Sequence, residues 1–212
     1  MTPAAAALEE RLQAFGGVRA QTLATIAPLS QAQFDFSPRQ GRWSIGEVVD
    51  HLRLSELLWR DEIRRLIELQ RAGKPAHLKR SFAEVNVSPL HIPTAVLSML
   101  ETPLGFVNRF VPDAVIGMIT EFPILPTRNP DAATPRGHRP AAELTGDLRA
   151  AFAETRELIH GNRDLDFSTM VSEHPLMGAN DVPHMLMFLA RHERRHQSQI
   201  AGVRSESRFP RG

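Results

Sequence analysis

Near the C-terminus two histidines stand four residues apart, in the string His192-Glu193-Arg194-Arg195-His196. On an α-helix this spacing puts both imidazoles on one face, a turn apart, where they can converge on one metal ion. The apolar stripe of the same segment is Val182, Met185, Leu186, Leu189, Ile200 and Val203. At about 100° per residue that stripe should run on through 192, 193 and 196, which hold His, Glu and His. Arg191, Arg194 and Arg195 are then expected on the opposite side. A core face interrupted by imidazoles carries a desolvation cost, and metal ligation offsets it. The bland alternative is a pair of exposed or hydrogen-bonded histidines, against which the broken stripe weighs. Two ligands make a weak site, so a neighbouring helix should supply a third. His51, beside Val48 on the flank of another apolar stripe, is the best placed. The expected ligands are therefore His51, His192 and His196, holding one divalent transition metal. Imidazole suits zinc and nickel first, with iron and manganese also accommodated.

The same string matches H-E-x-x-H, the zincin protease pattern. Zincins need a further ligand downstream, and only Glu206 among His, Asp and Glu follows His196. The metzincin extension would want Gly at 199 and His at 202, where the chain has Gln199 and Gly202. A zincin is not expected, which leaves Glu193 as a base or as a support for the ligands. Glu56 interrupts the apolar stripe of the helix carrying His51. It hydrogen-bonds a ligand imidazole, or the stripe is partly exposed there, or it forms an ion pair with a core-facing Arg. Trp43 and Trp59 read as core residues. Histidines 77, 91, 138, 160, 174 and 184 lack ligand spacing. No Gly-rich phosphate loop and no nucleophile elbow is present.

Four long helices must position these groups. The first spans about 5–27, with Leu8, Leu12, Phe15, Thr22 and Ile26 on one stripe and Gly16-Gly17 weakening its middle. A connector with Pro28, Pro38 and Gly41 follows, containing a helical turn opened by Ser30. The second long helix starts at the capping box Ser44-x-x-Glu47 and ends near Gly73, with Ile45, Val48, Val49, Leu52, Trp59, Ile63 and Leu66 inward. Ten prolines between 74 and 140 forbid a long helix there. Short helical pieces are expected at 94–101, 104–110 and 113–120, and an exposed loop at 129–139. The third long helix spans Ala141 to His160, stopped by Gly161. The last opens at Asp181 with Pro183 in its first turn and runs to about Val203. The reading is one all-α domain over 1–212, a four-helix bundle with a Pro-rich, partly helical insertion at about 74–139.

The 212 residues carry 25 basic and 24 acidic side chains, a net +1, so no broad electrostatic footprint for nucleic acid is expected. All but Lys74 and Lys79 of the basic residues are Arg. There is no Cys, which excludes disulfides, thiolate nucleophiles and Cys-ligated zinc. The apolar runs of the middle segment, broken by Glu101, Arg109 and Asp113, are too short to span a membrane, for which about 20 residues are needed. With no signal peptide visible, a cytoplasmic location is expected.

Two stretches carry a family resemblance. Trp43-Ser44-Ile45-Gly46-Glu47-Val48-Val49-Asp50-His51-Leu52 resembles the W-S-x-x-E-x-x-x-H-L segment of the DinB-like (YfiT-like) superfamily. Glu173-His174-Pro175-Leu176-Met177-Gly178 and His192 to Ile200 resemble its H-P-x-x-G and H-x-x-x-H-x-x-Q-I patterns. The resemblance implies a four-helix bundle with a three-histidine metal site, the ligands again being His51, His192 and His196, often in a homodimer. It also implies a metal-dependent enzyme acting on a small molecule. That enzyme is either a hydrolase or a transferase using an external low-molecular-weight thiol such as bacillithiol or mycothiol. A non-catalytic metal or small-ligand binder, or an interaction module built on residues 93–120, is the alternative.

Overall fold

The computed structural model describes residues 2–80, 88–89, 127–128, 133–174 and 178–211. The short pieces expected at 94–101, 104–110 and 113–120 lie outside them.

Helix α1 spans Pro3–Ile26, α2 Gln31–Asp35, α3 Ile45–Arg71, α4 Ala141–His160 and α5 Val182–Arg204. Their ends follow from local chemistry. The Ser44 hydroxyl accepts from the Glu47 backbone N–H at 3.2 Å while the Glu47 carboxylate accepts from the Ser44 N–H at 2.8 Å, so α3 opens on a complete capping box. Ser30 and Gln33 repeat the device on α2. Asp181 caps α5 through the His184 N–H, with Pro183 in the first turn. At the far end of α3, Gly73 takes φ +67, and Lys74 N donates to Leu69 O while Gly73 N donates to Gln70 O. This is a Schellman termination, which a residue with a Cβ would strain. Gly161 ends α4 differently, at φ −70 in the right-handed region.

Helix α1 packs on α5 and α4, and α3 packs on α4 and α5, so the long helices close a ring. Within it the apolar core falls into two clusters. One gathers Leu12, Phe15, Ile63, Leu66, Ile159, Met185 and Leu189. The other gathers Ile26, Ile45, Val48, Leu52, Leu144, Leu148, Ile200 and Val203. On each long helix buried polar residues lie at or near the junction of the two clusters: Arg19 and Thr22, His51 and Glu56, Thr155, and Glu193 and His196. The core is thus crossed by a polar layer, and the candidate site lies in it.

Five short strands among the described residues were not anticipated from the sequence. β1 (His77–Lys79) runs parallel to β4 (Val171–His174), which pairs antiparallel with β5 (Gly178–Asp181). A separate pair joins β2 (Ser88–Pro89) and β3 (Thr127–Arg128). Asp181 both ends β5 and caps α5, so the hairpin sets where the histidine-bearing helix begins. Among the described residues no helix is long and apolar enough to cross a membrane.

Candidate metal centre

His51 comes from the second turn of α3, and His192 and His196 from successive turns of α5. His192 Nε2 lies 3.3 Å from His51 Nε2 and 3.2 Å from His196 Nε2, and the three ligand atoms all fall within 4.8 Å of one another. His51 and His196 are buried, whereas His192 keeps part of its surface open.

Hydrogen bonds fix the tautomers. His51 Nδ1 is 2.8 Å from the Ala133 carbonyl oxygen and His196 Nδ1 is 2.8 Å from Gln199 Oε1. Each acceptor requires a proton on Nδ1, which leaves Nε2 as a bare lone pair. His192 can donate its one Nε2 proton to only one of these neighbours, so at least one nitrogen–nitrogen contact sets acceptor against acceptor. Burial holds all three imidazoles below the ordinary 6.5, and pushes His196 down to about 3, so protonation does not relieve the clash near neutral pH. A cation between the nitrogens does. Nitrogens about 2.0–2.1 Å from a tetrahedral ion are spaced by roughly 3.3 Å, and the two shortest contacts have that spacing. The donor set therefore fits one divalent transition metal. It holds no carboxylate among the described residues.

Asp50, fully buried, positions the His51 side. Its carboxylate accepts from Arg53 Nε at 3.0 Å, Arg139 Nη1 at 2.8 Å and Arg136 N at 2.9 Å. Burial pushes its pKa up, but the Arg136 N–H and the two guanidiniums more than offset this, and the net shift is downward. These bonds tie residues 136–139 to α3 and so present the carbonyl of Ala133, itself buried, to His51. The stretch expected as exposed loop is in this part a support of the site.

A family model described as the DinB superfamily matches residues 14–200, a span that includes all three histidines. The chain belongs to the DinB superfamily. No curated protein and no solved structure matches it.

In this DinB-superfamily chain the H-E-x-x-H string does not work as a zincin motif. Arg19 Nε donates to both oxygens of Glu193 at 3.0 and 3.1 Å, and Arg19 Nη2 to Oε2 at 2.9 Å. Glu193 is thereby turned into the core, away from the role of base or ligand support expected from the sequence. Glu56 follows another of the expected courses and pairs with Arg19. Its Oε2 lies 2.8 Å from Arg19 Nη1, outside hydrogen-bonding angles, and its Oε1 lies 2.8 Å from the Thr155 hydroxyl.

Arg195 corrects another expectation. It is half-buried, and its charge acts on His51, His192 and His196 alike, so it belongs to the site's side of α5. Trp43, expected in the core, packs on it only in part. Its ring also lies 4.9 Å from His51 and stacks at 23° on His196. Phe188 stacks on His192 at 14° and touches Trp59. Arg19 and Asp50 were not singled out in the sequence. For Arg19 the signal was present, since it lies on the stripe of Phe15, Thr22 and Ile26 and matches two misplaced carboxylates.

Proposed function

We propose that this DinB-superfamily chain is a metal-dependent enzyme in which His51, His192 and His196 hold one divalent ion and act on a small molecule. The observation that carries this is the trio of neutral imidazoles whose Nε2 atoms face one another without a carboxylate among them. Three ligands leave coordination room, as catalytic sites require. The ion, when bound, supplies Lewis acidity that lowers the pKa of a water or a thiol. The chain's own residues fix the geometry: Ala133 O and Gln199 hold two imidazole tautomers, and Trp43 and Phe188 shield two ring faces from water. Neither Glu193 nor Glu56 serves as the proton acceptor, because Arg19 occupies both. A thiol nucleophile would have to be external, the chain having no Cys.

Two chemistries follow, hydrolysis and transfer to a low-molecular-weight thiol. The reading also takes the chain as one domain that forms a homodimer. The test is turnover of ester, amide and electrophilic substrates by chelated and by zinc- or nickel-reloaded protein, with and without added thiol. Metal-dependent turnover that needs the thiol and vanishes in H51A supports transfer. Turnover without any thiol supports hydrolysis. Reloaded protein no more active than chelated protein on either panel would contradict the proposal.

A further inference from the structure

A divalent ion on three neutral imidazoles keeps its full charge, and the nearby carboxylates are committed elsewhere. Glu193 and Glu56 lie on Arg19, and Asp50 lies on Arg53 and Arg139. Arg195 adds one more positive charge to this surrounding. It precedes His196 by one residue and follows His192 by three, about 60° around the helix from His192. All three imidazoles feel its charge.

Of the other covered arginines, Arg19 has Glu193, Arg60 has Glu154 and Arg139 has Asp50 beside it, while Arg191 on the same helix, like Arg195, has none among the described residues. Arg195 has neither a hydrogen bond nor an ion pair among the described residues, and burial alone acts on it. A half-buried guanidinium presents five donors in a planar fork suited to carboxylate or phosphate. Leaving it unmet beside a cation site is costly unless a ligand brings the anion. The half-buried rings of Trp43 and Phe188, stacked on His196 and His192, offer an apolar surface for the rest of that ligand.

We propose that Arg195 is the anion-binding group of the centre. The substrate is a small molecule whose oxyanion, carboxylate or phosphate, seats on this guanidinium while its reacting atom faces the three imidazoles. This inference rests on the metal-site reading above.

The test uses full-length protein loaded with cobalt, its metal content measured in every sample. Binding of acetate, inorganic phosphate and neutral imidazole is titrated by the visible spectrum of wild type, R195Q and R195K. The expected result is unchanged metal content in R195Q, imidazole affinity within about twofold, and acetate or phosphate affinity lowered by about tenfold or more. R195K recovers part of the loss, keeping the charge without the fork. Whichever anion loses more identifies the oxyanion. Metal bound with both anion affinities unchanged would overturn the role of Arg195 alone, as would an equal loss for imidazole. A wild type that takes up no cobalt would overturn the metal reading and this inference with it.

Discussion

Arg19 holds two carboxylates in the core, and the proton count there decides what each contributes. The Thr155 hydroxyl has one hydrogen but two acceptors within reach, Glu56 Oε1 at 2.8 Å and Ala151 O at 3.0 Å. Both contacts become hydrogen bonds if Glu56 is protonated and donates to Thr155, which then donates to Ala151. Burial raises the Glu56 pKa against the pull of Arg19, in the same direction. Arg19 and ionised Glu193 are then a neutral pair. Glu56→Gln should accordingly keep the pattern and cost under about 1 kcal/mol, a loss typical of a mild polar exchange. Glu193→Gln strands a buried guanidinium and should cost about 3 kcal/mol or more, read by urea denaturation. Metal content should stay at the wild-type level in both folded variants. Equal destabilisation by the two, or loss of metal in E193Q, would contradict this assignment.

At the scale of elements, helix ends could be read from the sequence because caps are local. Ser44 with Glu47, Asp181 with Pro183, and Gly73 act within four residues of the boundary they set. The strands could not be read, because two to four residues are too few to show a period of two, and β1 reaches its partner β4 across more than 90 positions. The ligands were readable because two of them share a helix face and break its stripe. Their supports were not: Arg19 meets Glu193 across 174 positions and Asp50 meets Arg136 across 86. Two glycines that look alike in the sequence differ in the fold. A Cβ on Gly16 would lie 2.7 Å from Phe152 Cζ, on the ring that packs edge-on against Phe15, whereas Gly17 has nothing within 4 Å. Gly17→Ala should stabilise α1 by about 0.5–1 kcal/mol and Gly16→Ala should destabilise it, and thermal melts of the pair would expose any common sign. On α3, Asp50→Asn weakens the tie to residues 136–139 and so the orientation of His51. Metal affinity should fall about tenfold, measured by competition with a chelator, and an unchanged affinity would remove Asp50 from the site's support.

For the whole molecule, the polar layer ties stability to pH. Burial holds His51, His192, His196 and His174 below 6.5, with His174 pushed to about 4 and His196 to about 3. The unfolded chain takes up protons below about pH 6.5 that the native metal-free protein refuses. Stability contributed by these groups is therefore complete above that pH. It declines as the pH falls, through about 4 for His174 and about 3 for His196. Asp50, lowered in the fold, adds a loss below about 3.9. Melting temperatures of chelated protein should fall steadily from pH 7 to 4, and a flat profile would contradict the burial of neutral imidazoles. Bound metal should raise the melting temperature more at pH 7 than at pH 5, since ligation needs deprotonated rings.

The measurement that bears most directly on the account is elemental analysis of purified, metal-reconstituted wild type beside H51A, H192A and H196A. About one divalent transition-metal ion per chain is expected in the wild type, and its loss in each folded variant. No ion in the wild type, or the same content in all four proteins, would contradict it.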